Sequence, residues 1–145
     1  MGFRFPLASV LRVRENIEKR EELALQLVQF EVSRVRRRID ELTAEMTRAG
    51  IDREESLQKW MQACQLRNWQ DEMNAALEAK QILSETLQTL KSQRDTQMKV
   101  YQVARVDRRI LTDLQQQQQN AWEKKQDRID QKRLDDLFTT RLQRG

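Results

Sequence analysis

The sequence predicts an all-α fold, a long antiparallel two-helix coiled coil that forms a helical hairpin. Residues 51–144 contain neither proline nor glycine, the residues that most often interrupt a helix. Good helix formers, mainly Ala, Leu, Glu, Gln, Lys, Arg and Met, fill this stretch. Apolar residues recur along the chain at steps of three and four, as one face of a helix requires. We therefore expect a single coiled-coil domain over residues 1–145.

The first helix is predicted at about residues 7–48, after a short N-terminal arm at residues 1–6. Pro6 suits the first turn of a helix, where its missing N–H would be unpaired in any residue. The apolar spacing forms a regular heptad over residues 28–46. Charged residues interrupt that spacing within residues 17–24, which predicts a stutter in the coiled coil.

A turn is predicted at about residues 49–52. Gly50 suits the left-handed residue that often follows the last turn of a helix. Asp52 then resembles the N-cap of a second helix, because acidic residues follow it in what would be the first turn.

The second helical stretch is predicted at about residues 53–142. Two helices joined by a short turn pack antiparallel. The first helix, with about forty residues, is too short to pack along all of the second stretch, which has about ninety. The second stretch therefore either overhangs as one helix or bends, near Asn68 or within residues 93–98. We favour a bend, because apolar residues near Leu111 and Leu137 need cover.

Aromatic residues and a glutamine run are the least regular parts of the pattern. Trp60 and Cys64 are four residues apart, as on one apolar face of a helix, and both are expected in the core of the coiled coil. Phe3 and Phe5 either cap the coiled coil or bind another protein. Five glutamines at residues 115–119 carry no apolar seam. A further stripe at helical spacing is either internal seam or a docking face, and it consists of Trp69, Met73, Ala76 and Lys80.

The composition argues against an enzyme. The chain has no histidine, which removes the commonest general base and a principal zinc ligand. A 34% share of charged residues and 38% hydrophobic residues leave little interior in which a carboxylate pKa could shift. Cys64 is the single cysteine, which fits a reducing compartment. We predict no cofactor, no metal site, no small-molecule substrate, no membrane span and a cytoplasmic location.

Charge gives weak support for nucleic-acid binding. The net charge is +4, and the two signs are interspersed along the chain. The best basic candidate is Arg34 with residues 36–38, three further arginines. A nucleic-acid binder usually shows a basic patch or stripe. We favour the interpretation that these arginines lie on the solvated face of a coiled coil.

Short stretches at both ends of the chain match one known pattern. The opening reads FRFPL at residues 3–7 and continues to Arg14 and Glu15, and the closing stretch reads DRIDQKRLDDL at residues 127–137. Together they resemble the bacterial flagellar export protein FliJ. Length, helical composition and the predicted glycine-containing turn agree with that family over essentially the whole chain. The glutamine run at residues 115–119 is a departure from the pattern.

The resemblance implies a stalk similar to the gamma subunit of rotary ATP synthases. Its implied partners are the hexameric flagellar export ATPase FliI, the export-gate membrane protein FlhA and flagellar export chaperones. It implies a protein of flagellum biogenesis that is monomeric alone and peripherally associated with the inner membrane at the flagellar basal body. The implied ATPase-facing residues are Phe3, Phe5, Leu7, Leu134, Leu137 and Phe138. The implied gate-facing residues are Trp69, Met73, Leu77 and Lys80.

Three other interpretations stay open from the sequence. The chain could be the equivalent stalk of a virulence type III secretion injectisome, although the Phe3 and Phe5 opening favours the flagellar system. It could be a basic coiled-coil nucleic-acid-binding protein, which salt-dependent DNA retention would reveal. It could also be a structural homo-oligomer, which light scattering would distinguish from a monomeric hairpin.

Overall fold

A computed structural model describes residues 2–60 and 62–144 and contains two long helices. Helix α1 spans Ala8–Gln58, and helix α2 spans Ala63–Arg144. They pack against each other as an antiparallel helical hairpin, which confirms the predicted fold class. In the described part of the chain no residue lies in a strand, and no helix is long and apolar enough to cross a membrane.

Helix α1 continues to Gln58 and α2 begins at Ala63, so the helices are not joined at the predicted residues 49–52. Gly50 is an internal residue of α1 without a positive φ, and Asp52 continues the same helix. A glycine inside a helix costs only about 1 kcal/mol. The helix persists because residues that pack against α2 continue beyond Gly50, as far as Ser56.

Trp60 takes the left-handed conformation that was predicted for Gly50, with a φ of 64°. Its side chain is 95% exposed and Cys64 is exposed as well, so the prediction that these two residues lie in the core is wrong. At the start of α2, the Gln62 amide N–H donates to Oε1 of Gln65 at 3.4 Å. That bond satisfies one of the amide groups that a helix N-terminus leaves without an intrahelical partner.

The face of α1 that packs against α2, here called the α1 seam, is an unbroken heptad repeat. Its positions alternate steps of three and four, and every one is buried or half-buried. The stutter predicted within residues 17–24 is absent. The half-buried charged residues Glu18 and Glu21 occupy seam positions there, so the heptad spacing continues unchanged. The α1 seam consists of Leu11, Arg14, Glu18, Glu21, Leu25, Val28, Val32, Val35, Ile39, Leu42, Met46, Ala49, Arg53 and Ser56.

The α2 seam follows the same rule. It runs through Asn68 and residues 93–98 without a break in the helix, so the bend predicted at one of these places is absent. Residues 115–119 do not interrupt it either, because two of the glutamines are seam residues. The α2 seam consists of Leu66, Trp69, Met73, Ala76, Lys80, Leu83, Leu87, Leu90, Arg94, Gln97, Tyr101, Ala104, Arg108, Leu111, Gln115, Gln118 and Trp122.

The chain divides into two compact units, each made from a segment of α1 and a segment of α2. The terminal unit comprises Met1–Glu21 and Tyr101–Gly145, and the turn unit comprises Glu22–Val100. The buried side chains of the terminal unit are Phe5, Leu11 and Ala104. Those of the turn unit are Leu25, Val32, Val35 and Leu42. Each unit therefore has a narrow apolar core along its seam.

Two leucines two residues apart test which face of α1 carries this core. Leu25 is 6% exposed, whereas Leu27 is 69% exposed. We expect Leu25→Ala to lower the free energy of unfolding by about 2–3 kcal/mol, because it removes a buried side chain and leaves a cavity. The control Leu27→Ala should change it by less than about 0.5 kcal/mol. Urea unfolding followed by far-UV circular dichroism measures both, and equal effects would contradict the seam.

Candidate partner-binding surfaces

Two ion pairs join the helices of the terminal unit. The Arg108 guanidinium donates to both oxygens of Glu18, from Nε to Oε2 at 2.6 Å and from Nη2 to Oε1 at 3.3 Å. Arg14 Nη1 lies 3.4 Å from Oδ2 of Asp107. The hydrogen bond to Glu18 raises the pKa of Arg108, because the carboxylate stabilises the guanidinium. The stability linked to this shift is present below the ordinary arginine pKa, so it is constant at neutral pH.

The N-terminal arm packs onto the C-terminal part of α2 within the terminal unit. The Phe3 ring lies 6.3 Å from the Trp122 ring between centroids, at a tilt of 50°. Such tilted aromatic pairs are attractive beyond the area that they bury. Phe5 is only 7% exposed, and its carbonyl accepts the Ala8 amide N–H at 3.1 Å. Of the two sequence-based alternatives for these phenylalanines, the structure displays the cap on the coiled coil.

The six residues predicted to face the ATPase form two separate groups. In the first group Phe3 packs on Trp122, Phe5 is buried, and Leu7 is 38% exposed. Leu134 is twelve residues beyond Trp122, which is about 18 Å along a helix.

The second group is exposed to solvent. Leu134, Leu137 and Phe138 are 60%, 64% and 66% exposed, and they line a shallow groove with Arg141. All residues from 127 to 144 are exposed. The last four turns of α2 therefore carry an apolar stripe that nothing in the described chain covers.

Trp69 is the centre of a second candidate surface, in the turn unit. Its Nε1–H donates to the Ala49 carbonyl of α1 at 3.0 Å. The Arg53 guanidinium lies over the ring at 4.4 Å from the centroid, in cation–π geometry. Beside the ring is a groove of about 160 Å³, lined also by Met73 of α2 and Met46 of α1. Trp69 thus forms one wall of an open groove and is also held by α1.

The four residues predicted to face the export gate occupy different environments. Trp69, Met73 and Lys80 are half-buried seam residues. Leu77 lies beside them on α2 and is 50% exposed. The stripe of Trp69, Met73, Ala76 and Lys80 therefore packs as internal seam, and Leu77 is the member of the predicted gate surface with most free area.

The arginines at residues 34–38 do not form a uniform basic surface. Arg34 pairs with Glu31 at 2.8 Å. Arg38 pairs with Glu41 at 3.3 Å and reaches Glu45 at 3.8 Å. Acidic neighbours in the same helix thus neutralise part of this charge, as expected for a solvated helix face.

The structure also contains an apolar stripe that the sequence analysis missed. Leu23, Leu27 and Phe30 are 60%, 69% and 66% exposed, on the side of α1 opposite its seam. Their steps of four and three match the helical period, which was the available signal. The seam has the same period, so the sequence alone does not separate this stripe from the seam.

The described residues contain no group of three His, Cys, Asp or Glu side chains able to hold a metal ion. A model of the flagellar FliJ protein family matches residues 3–145, nearly the whole chain. Neither the curated proteins nor the solved structures include a match. The family comprises non-enzymatic components related to flagellar type III export. The matched residues include both end stretches, and the chain belongs to the flagellar FliJ protein family.

Proposed function

We propose that this chain binds the hexameric flagellar export ATPase FliI as a central stalk and promotes its assembly and activity. The observation that carries the proposal is the exposed apolar stripe of Leu134, Leu137 and Phe138 on the last turns of α2. A helix that continues beyond its partner leaves such a stripe in water, and burial in another protein would stabilise it. Contiguous exposed apolar surface of this kind commonly marks a protein interface.

The stalk acts by geometry and has no chemical step of its own. Its helix presents a different set of side chains in each direction, so six equivalent ATPase subunits around it meet different surfaces. Contacts that are stronger in the assembled ring than with free subunits shift the equilibrium towards the ring. Faster ATP hydrolysis then follows from ring formation.

The N-terminal residues have a supporting role in this proposal. Phe5 is buried, and Phe3 packs on Trp122, so neither presents its full ring to a partner. They brace the part of α2 from which the exposed stripe extends. Leu7, which is 38% exposed, completes the proposed contact.

Substitution of the stripe tests the ATPase contact. We expect the triple variant Leu134→Gln, Leu137→Gln and Phe138→Gln to need at least about tenfold more protein for half-maximal stimulation of FliI, since interface energy concentrates in a few apolar anchors. Circular dichroism should show unchanged helicity, because all three side chains are exposed. ATP hydrolysis and hexamer formation are measured in one titration.

A single exposed residue elsewhere supplies the matched control. Ile82 is 63% exposed on α2 in the turn unit, so Ile82→Gln removes an equally exposed apolar side chain without touching the stripe. This variant should stimulate FliI as the unchanged chain does. Full stimulation by the triple variant, or equal loss in both variants, would place the ATPase contact elsewhere.

For the export gate, we propose a contact with FlhA through Trp69, Met73, Leu77 and Lys80 in the turn unit. Support comes from the groove beside Trp69 and from the solvent-exposed surface of Leu77. Because Trp69 also bonds to α1, it would act as a rigid wall, while Leu77 enters the partner. This contact would hold the protein peripherally at the inner membrane, at the flagellar basal body.

Leu77 gives the cleanest test of the gate contact, because its substitution leaves the seam intact. We expect Leu77→Gln to weaken binding to the purified cytoplasmic part of FlhA about tenfold, a typical effect for an interface anchor. Binding is measured by isothermal titration calorimetry, with Ile82→Gln as the control. Unchanged affinity of the Leu77 variant would contradict the proposed surface.

Escort of export chaperones completes the proposed function, and its support is membership of the family. It requires binding to chaperones that carry no cargo. Co-elution of the purified chain with an empty flagellar chaperone in gel filtration would agree with this role, whereas separate elution of every flagellar chaperone would contradict it.

A further inference from the structure

The outer stripe of α1, formed by Leu23, Leu27, Phe30, Arg34 and Arg37, has an apolar part followed by a basic part. These residues follow each other at steps of four, three, four and three, so they form one line along the helix. All five lie in the turn unit. The line is separate from the surfaces proposed to bind the ATPase and the gate, and the inference does not rest on either of them.

The apolar part of the outer stripe cannot be explained by packing within the hairpin. Leu23, Leu27 and Phe30 are each at least 60% exposed, while the seam on the opposite side of α1 is what contacts α2. Single exposed apolar residues are ordinary on protein surfaces. Three large side chains at i, i+4 and i+7 are the anchor spacing by which two helices pack.

The basic part of the outer stripe indicates the charge of a molecule that would bind there. Arg34 pairs with Glu31, but its side chain remains 68% exposed and can bind a second carboxylate. Arg37 lies one turn further along and forms no ion pair within the described residues. An occupant that continues past Phe30 therefore meets positive charge, and acidic side chains complement it.

Charge also argues against a second copy of this chain on the outer stripe. In a parallel arrangement Arg34 and Arg37 would each face the same arginine of the other copy. In an antiparallel arrangement centred on Leu27, Arg34 would face Arg20 of the other copy. Like charges placed opposite each other disfavour both arrangements.

We propose that the outer stripe of α1 is a docking site for an acidic amphipathic helix of another protein. The apolar face of that helix covers Leu23, Leu27 and Phe30, and its carboxylates pair with Arg34 and Arg37. The bound helix lies along α1 opposite the seam, so it leaves the hairpin core undisturbed.

A synthetic helix tests this proposal. The probe is a fluorescent peptide of about 21 residues, three heptads, with leucine at positions a and d and glutamate at positions e and g. The control peptide replaces each glutamate with lysine. Fluorescence anisotropy with the full chain should show micromolar binding of the acidic peptide and at least about tenfold weaker binding of the basic one.

Variants then locate the site. Leu27→Gln should weaken binding of the acidic peptide about tenfold, and Arg37→Glu should weaken it severalfold and reduce its salt dependence. Ile82→Gln, which removes an isolated exposed side chain on α2, should leave the affinity unchanged. Equal affinity of all variants, or equal binding of both peptides, would overturn the proposal. Light scattering that shows a dimer dissociated by Leu27→Gln would overturn it in favour of a second copy.

Discussion

The packing of two narrow heptad seams against each other is the constraint on which the rest of this structure depends. A helix as long as α2, Ala63–Arg144, has no other cover, since the described chain forms only one further helix. Much of the seam is polar, and a purely apolar seam could slide by a heptad. The bidentate contact between Arg108 and Glu18 is a specific cross-helix contact that selects one pairing, at 2.6 Å and 3.3 Å. Polar seam positions set register in coiled coils in the same way, at a cost in stability.

A narrow seam also determines where binding can occur. It uses about two of every seven residues, so apolar side chains at other positions remain in water. The stripe around Leu137 arises because α2 extends beyond the packing of the N-terminal arm, and the stripe around Leu27 arises because it faces away from α2. Neither surface contributes to the hairpin core, so either can bind a partner without unfolding the chain.

Periodicity predicted the two helices, their antiparallel packing and most of the apolar seam, because a 3–4 repeat has one physical explanation in a polar chain. The predictions were wrong where they rested on the usual preference of one residue type and not on the apolar pattern around it. Gly50 was assigned to a turn, yet the seam continues beyond it and α1 keeps it helical. Trp60 was assigned to the core, yet it forms the turn. Charged residues at Glu18 and Arg108 conceal the seam in the sequence, because their partners are some ninety residues away. The proposed gate and ATPase residues came from the family resemblance, and only their exposure could be added from the structure.

The most direct test of this account is thiol cross-linking of the seam register in a chain that keeps Glu18 and Arg108. With Cys64→Ser, the pair Arg14→Cys and Asp107→Cys should cross-link almost completely with a short bifunctional maleimide, because the two original side chains lie 3.4 Å apart. The pair Arg14→Cys and Leu114→Cys, displaced by one heptad or about 10 Å, should not. Non-reducing electrophoresis measures both, with urea-unfolded samples as the reference for random collision. Equal cross-linking of the two pairs in the folded protein would show that the polar seam does not fix the register and would contradict the account.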